Sequence, residues 1–313
     1  MKIGSLCSGY GGLDMAVEAF YGAETAFMCD IDKYASIVIK ERWGVPNLGD
    51  MKQVDWSNIE LVDILTAGYP CQPFSTAGQR KGSADERHLW PYIKEIISHL
   101  QPSRVILENV RGHLTLGFKE VLQDLTEIGY DARWAIVRAS DVGAPHRRER
   151  LFCVAQPTDS NSSTRQQSRR ANRSIFRPAS KVIDGSDRNE YRSGIETATD
   201  PTSKGFQREI NEKSGLKCCS QSITNTNCDE QPRDGQAQGL GSRFNTRNQM
   251  RLQTAPNPLE LGKLNPKFVE YMMGLPVGWV TDLDISRSQQ LKLLGNGVVP
   301  QQAYYAIDKL ERL

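Results

Sequence analysis

Within the first 155 residues short apolar runs alternate with segments of helical periodicity, and few folds accommodate that alternation. A strand beginning at Ile3 runs into Ser8-Gly9-Tyr10-Gly11-Gly12, after which Leu13, Ala16, Val17 and Phe20 fall on one helical face. Residues 24–29 read as a second strand, with Asp30 at its end and a helix starting near Asp32. The apolar run 62–67 is a third strand, closed by Gly68-Tyr69-Pro70. Residues 88–100 then read as helix, 104–107 as a fourth strand and 116–128 as helix again, before two more strands at 132–137 and 151–155. Strands interleaved with helices need crossover connections, so the predicted class is α/β, with a doubly wound, mostly parallel sheet. In such sheets chemistry is expected in the turns at the carboxyl ends of the strands.

Several of these turns carry candidate groups. The stretch 68–75 reads GYPCQPFS, in which Pro70 and Pro73 fix φ on either side of Cys71 and present its thiol on a stiff loop. A cysteine in a turn is equally a small buried hydrophobe, and these residues alone leave both readings open. The turn from Ser8 to Gly12 lets backbone approach a ligand, and the helix after it offers free N–H groups to a carboxylate or phosphate. A tight structural turn is the alternative. Asp30, about 20 residues past the glycines, stands where doubly wound folds accept hydrogen bonds from a ribose. Asp50, in Leu48-Gly49-Asp50-Met51, can accept from an adenine amino group or simply cap its turn. Glu108 ends the fourth strand in Glu108-Asn109-Val110, where partly apolar surroundings would let it hold and donate a proton. In the run 143–150, GAPHRRER, alternation puts Arg148 and Arg150 on one strand face, a clamp for an anion or a base carbonyl unless the run is a solvated hairpin.

Composition limits the remaining options. A net charge of +2 does not mark a nucleic-acid binder in bulk, so any such surface must be local. Seven cysteines without paired spacing argue against a disulfide framework, and no metal site is implied by Cys218, Cys219 and Cys228, which lack partner pairs and histidines. No run approaches the ~18 apolar residues of a membrane span and the N-terminus lacks an apolar leader core, so a cytoplasmic protein without membrane contact is expected. Residues 156–256 differ from the rest: only 14 of 101 are Val, Ile, Leu, Met, Phe, Trp or Tyr, too few for a packed core of ordinary density. The same stretch holds 16 Lys and Arg against 11 Asp and Glu, so +5 of charge is concentrated there and −3 remains elsewhere. It reads as a polar insertion that could order on a polyanion. Globular character returns at 264–280, with Phe268, Met272, Leu275 and Trp279 as core, and Leu293-Leu294-Gly295-Asn296-Gly297-Val298-Val299-Pro300 leads into a final helix over 301–310. That helix is expected beside the first strand.

The order SGYGG, Asp30, GYPCQPFS, ENV, HRRERLF and LLGNGVVPQQA resembles the C5-cytosine DNA methyltransferase family, over roughly residues 1–155 and 257–313. The resemblance implies a sheet of the S-adenosylmethionine-dependent methyltransferase type with a small, polar target-recognition region. It divides the chain into a catalytic and cofactor-binding domain at 1–155, a recognition region at 156–263 and a return to the catalytic domain at 264–313. Cys71 then resembles the nucleophile, Glu108 the acid that engages cytosine N3, and Arg148 and Arg150 the two arginines of a Gln-x-Arg-x-Arg motif in which His146 replaces Gln. S-adenosyl-L-methionine is the implied cofactor, with Ser8, Gly9, Tyr10, Gly11, Gly12, Asp30, Ile31, Asp50, Met51, Pro70, Asn296 and Val298 around it. Ile31 takes a place commonly held by a stacking Trp, and Gly297 that of a frequent Ser, an exchange expected to be tolerated. Duplex DNA is the implied partner, contacted by Gln72, Ser75 and a lid at 78–87 carrying Gln79, Arg80 and Lys81, with the target cytosine flipped out. The Cys-Phe-Thr tripeptide usual in the family's transfer-RNA branch is missing, which favours DNA. A catalytically silent DNA-binding relative is the reading from another class. A monomer, a cognate restriction endonuclease acting at the same site and association with the nucleoid complete the expectation.

Overall fold

The computed structural model describes residues 1–70, 89–158 and 255–313. Cys71, Gln72, Ser75, the 78–87 segment with Gln79, Arg80 and Lys81, and most of the polar insertion lie outside the described residues. Six strands form one sheet in the order β2-β1-β3-β4-β6-β5. β1 (Lys2–Leu6), β2 (Glu24–Cys29), β3 (Ile64–Ala67) and β4 (Arg104–Val110) run parallel, while β6 (Glu149–Pro157) lies antiparallel to both β4 and β5 (Tyr130–Arg138). The doubly wound, mostly parallel sheet is thus present, with an antiparallel edge. From β1 the chain steps outward to β2 and then crosses back to β3, so winding reverses between β1 and β3. In open α/β sheets the ligand crevice lies at the carboxyl ends of the strands where the winding reverses.

Helices cover both faces for sequence reasons that are visible residue by residue. α3 (Trp90–Leu100) buries Trp90, Ile93, Ile97 and Leu100 against Leu65, Val105 and Leu107, with Phe118, Val121 and Leu125 of α4 (Phe118–Glu127) beside them. On the other face Leu13, Ala16 and Val17 of α1 (Gly12–Tyr21) pack with Ala303, Ala306 and Ile307 of the C-terminal helix over Ile3, Ile106 and Phe152. That last helix, Pro300–Glu311, was expected beside the first strand. It packs against α1, β5 and β6, and its Ala303, Ala306 and Ile307 share one core with Ile3 of β1. Its fully buried Gln302 donates to the Val137 and Arg148 carbonyls at 2.9 and 2.7 Å, fixing the helix to the β5–β6 turn.

Three boundaries differ from the sequence expectation. β5 and β6 each extend to nine residues, since an antiparallel ladder in register from Tyr130↔Pro157 to Arg138↔Glu149 carries polar residues that periodicity alone assigns to turns. Glu108, Asn109 and Val110 belong to β4 itself rather than to the turn after it. A helix at Arg287–Asn296 was not anticipated. Its sequence RSQQLKLLGN has no sustained apolar stripe, and it buries only Gln290, Leu293 and Leu294. We label it α6, after α2 (Lys33–Val38) and α5 (Pro266–Met272), and the C-terminal helix α7.

One buried carboxylate ties this frame together. Asp14, in the first turn of α1 and 1% exposed, accepts from the Ser5 hydroxyl of β1 at 2.9 Å and from Thr66 of β3 at 2.5 Å. Burial pushes its pKa up from 3.8 to about 6, against those two hydrogen bonds. The folded-state value lies above the unfolded one, so the contribution to stability is complete below about pH 4 and is lost as pH rises through 6. Asp14→Asn keeps the shape without the charge. Its stability relative to wild type should therefore rise between pH 4 and pH 8 by about 3 kcal/mol, read from denaturant melts. Parallel pH curves for the two proteins would contradict this.

Candidate active site

A cavity of about 580 Å³ opens where the winding reverses, with the glycine turn, the ends of β2, β3 and β4, and Gly295 to Val298 as its walls. The glycines of the first turn divide their work. Gly9 has φ +56 and open space where a Cβ would lie, and it borders the cavity. Gly11, at φ +83, is small because the Trp43 ring would sit 2.3 Å from a Cβ, and Gly12 because the Val298 carbonyl would sit at 2.2 Å. Gly9 thus needs glycine for its positive φ and leaves open space toward the cavity, whereas packing of the protein on itself leaves no room for a Cβ at the other two. Neither Tyr10, which is wholly buried, nor Gly11 lines the cavity. The Ser8 hydroxyl is engaged internally, donating to the Ser5 carbonyl and accepting from the Cys29 amide.

Asp30 faces this space and also builds it. One carboxylate oxygen accepts from Gly9 N–H at 2.7 Å and the other from Asp32 N–H at 2.8 Å, so β2 holds the glycine turn in place. Each oxygen keeps a second lone pair for a hydroxyl donor. Burial raises the Asp30 pKa, while the two amide bonds oppose that rise. Asp50 caps its own turn through Lys52 N–H at 3.0 Å and borders the cavity as well. Ile31 is 76% exposed at the cavity wall, an apolar surface facing water, and Met51 is buried beside it in the core under α3.

Across the cavity, Glu108 of β4 pairs with Arg150 of β6, Nε to Oε1 at 3.0 Å, with side chains 18% and 8% exposed for the arginine and the glutamate. Burial pushes the Glu108 pKa above the usual carboxylate range, and Arg150 and then Arg148 oppose it. A carboxyl poised in this way can hold a proton toward the cavity or give it up. The neighbouring Asn109, which sequence reasoning passed over, donates from its amide to the Tyr69 carbonyl at 3.0 Å. It thereby fixes the residue before Pro70, which lines the cavity at the entry to the Cys71 loop. His113 supports the same point. Its Nδ1 can only donate to the Leu116 carbonyl at 3.0 Å, and burial lowers its pKa, so the neutral ring accepts from the Tyr69 hydroxyl at Nε2. Tyr69 and His113 stand 44 positions apart in the sequence, so their contact left no local signal.

Arg148 departs from the expectation. It precedes β6 rather than sharing its face with Arg150, has a left-handed φ of 32°, and donates from Nη2 to the Gly295 and Gly297 carbonyls. Its guanidinium braces the C-terminal segment and is not among the groups that line the cavity. His146 has no hydrogen-bond partner at either ring nitrogen among the described residues. Burial, then Arg148 and Arg150, lower its pKa to about 4, leaving it neutral near pH 7. Asn296 and Val298 border the cavity as expected, but Gly297 does not behave as expected. A Cβ there would lie 1.9 Å from the Tyr10 ring, so serine is not accommodated as the structure stands. Among the described residues no cluster of metal-ligating side chains occurs, and no helix is long and apolar enough to cross a membrane.

An open α/β sheet with its crevice at this switch point is the architecture of the S-adenosylmethionine-dependent methyltransferase class. The structure of Spodoptera frugiperda DNMT2 matches it with a TM-score of 0.59 at 18% identity over 99% of both chains. A prophage-encoded E. coli structure described as a putative DNA modification methyltransferase matches at TM-score 0.56 and 17% identity over 100% of both. Within that class, the family model for C-5 cytosine-specific DNA methylase matches residues 1–312, and the chain belongs to this family. Among its curated relatives, the type II methyltransferase M.NgoBI of Neisseria gonorrhoeae is 39% identical over 154 residues, 48% of each chain. M.HhaI of Haemophilus parahaemolyticus is 35% identical over 161 residues, 50% of this chain and 49% of that one. The chain thus spans about half the length of the curated relatives it matches.

Proposed function

We propose that this protein transfers a methyl group from S-adenosyl-L-methionine to C5 of a cytosine flipped out of duplex DNA. The observation that carries the reading is the buried Glu108–Arg150 pair, set across one cavity from Asp30 and joined through Asn109 to the start of the Cys71 loop. The cavity fits the cofactor in the chemistry of its donor set: Asp30 with spare lone pairs for ribose hydroxyls, Asp50 for an amine, and exposed Ile31 for an aromatic face. When bound, the cofactor supplies an electrophilic methyl group on a sulfonium. In this assignment residues 1–155 and 264–313 carry catalysis and 156–263 recognise the target. The relatives' type II names support a restriction-modification setting with a cognate endonuclease, and we place the protein as a monomer in the cytoplasm, at the nucleoid when on DNA.

The chain's own groups would act on the cytosine in sequence. The Cys71 thiolate adds to C6, forming the S–C bond; the C5=C6 pair shifts to C4=C5 and the C4=N3 pair takes up the proton that Glu108 delivers to N3, which leaves a neutral enamine with a nucleophilic C5. C5 would then take the methyl group, the S–CH3 bond breaking with its electron pair left on a neutral thioether and C4=N3 re-forming with its proton still on N3. Loss of the C5 proton to water or hydroxide returns electrons to the ring and expels Cys71, and N3 gives back its proton. Arg150 orients Glu108 throughout, and Arg148 acts through the backbone it holds. Gln72, Ser75, Gln79, Arg80 and Lys81 would hold the DNA strand and fill the gap left by the flipped base.

Cofactor binding is the direct test of the cavity. Calorimetric titration with S-adenosylmethionine should show saturable binding by wild type. Asp30→Ala, which removes a charged acceptor and frees the glycine turn, should weaken it by about tenfold or more. An unchanged Kd would take Asp30 out of the site, and no binding by either protein would refute the cofactor assignment.

A further inference from the structure

The cavity wall from Gly295 to Val298 has three of its four carbonyls held from outside the segment. Arg148 takes those of Gly295 and Gly297, and the Tyr10 hydroxyl donates to Val298 at 2.6 Å. Tyr10 does more than close one hydrogen bond. Its own carbonyl accepts from two indoles, Trp43 at 3.3 Å and Trp279 at 3.1 Å, so its backbone is anchored to both the α2 region and the turn after α5. Its ring lies wholly buried under the wall, where a Cβ on Gly297 would meet Cε1 at 1.9 Å and one on Gly12 would meet Cε2 at 2.6 Å. Gly297 itself has φ −77 and ψ −177, extended backbone that any residue adopts. Glycine is required there for room, and Tyr10 occupies that room. A flexible side chain would swing aside, but this one is fastened at both its phenol and its carbonyl.

We infer that Tyr10 is a positioning residue mated to Gly297, and that this pair sets the position of the Gly295–Val298 wall and hence affinity for the cofactor. Bulk at one position is tolerated only where the other is small. A serine at 297 with Tyr10 in place must push the ring, its hydroxyl bond to Val298 or the wall itself out of position. The inference rests on the cofactor assignment above for its effect on affinity, and on packing alone for the pairing. Arg148, with its left-handed backbone, holds the same wall through the Gly295 and Gly297 carbonyls, and its charge also acts on Glu108.

The test is a double-variant cycle on Gly297→Ser, Tyr10→Ala and their combination, titrated with S-adenosylhomocysteine by calorimetry and melted without ligand. Gly297→Ser alone should weaken binding about tenfold or more, whereas in the Tyr10→Ala background the same change should alter it less than about twofold. Tyr10→Phe keeps the ring and the fold and loses only the bond to Val298. It should weaken binding by about three- to tenfold. Equal effects of Gly297→Ser in both backgrounds, or wild-type affinity in Gly297→Ser, would overturn the proposal. The ligand-free melts separate its two parts. Additive losses of melting temperature would refute the pairing itself, while a wild type that binds no S-adenosylhomocysteine would refute the cofactor assignment and the affinity effect with it.

Discussion

Glu108→Gln should lower turnover by about 10²–10⁴ while cofactor affinity stays within twofold of wild type. The glutamine matches the glutamate in shape and its carbonyl still accepts from Arg150, but it has no proton to give to N3. Removing one partner of a buried ion pair ordinarily costs about 3–5 kcal/mol, and the amide's remaining bond to Arg150 should keep the loss well below that. The pH profile separates chemistry from packing. Burial raises the Glu108 pKa, so the competent acid form is depleted as pH rises through that value. Wild type should show this alkaline decline, and the glutamine variant should lose it. A variant with undiminished turnover, or one that keeps the alkaline limb, would show that Glu108 is not the acid.

Cys71→Ala should have the larger effect, about 10⁴ or more on turnover, with melting temperature and cofactor affinity unchanged. C5 of cytosine is too weakly nucleophilic to take a methyl group until C6 carries an electron-donating adduct, and no other thiol among the described residues is placed to substitute. Burial pushes the Cys29 thiol up to about 12 and holds it near the Gly49 carbonyl, and burial raises Cys7 further, so both cavity-side cysteines stay protonated. Cys153 is likewise buried, with its pKa pushed up to about 12. Residual turnover above about 1% in the alanine variant would mean that the reaction does not pass through the Cys71 adduct.

How far the sequence disclosed this arrangement depended on how local each cause was. The glycine turn and Glu108 were legible because turn punctuation and strand ends are written in neighbouring residues. Asp30 was legible as a strand-end acid, but its hold on Gly9 and Asp32 was not, since that depends on how closely β1 and β2 run side by side. The glycine turn was read as serving a ligand or as a tight structural turn, and which of the two holds at Gly11 and Gly12 depends on Trp43 and Val298, residues about 30 and 290 positions away. Arg148 was misplaced because the period-two rule was applied one residue before the strand begins. The tightness of Gly297 had no local signal at all: its cause is the Tyr10 ring, brought there by the packing of α7 on α1. Helix α6 was missed because burial of two leucines and a glutamine leaves no apolar period to detect.

The central claim is most directly tested by incubating the protein with S-adenosylmethionine labelled in its methyl group and either unmethylated duplex DNA or transfer RNA, then digesting to nucleosides. The predicted result is label in DNA, confined to 5-methylcytosine and absent with the Cys71→Ser variant. Label in transfer RNA alone, on another base, or persisting in the serine variant would contradict the account.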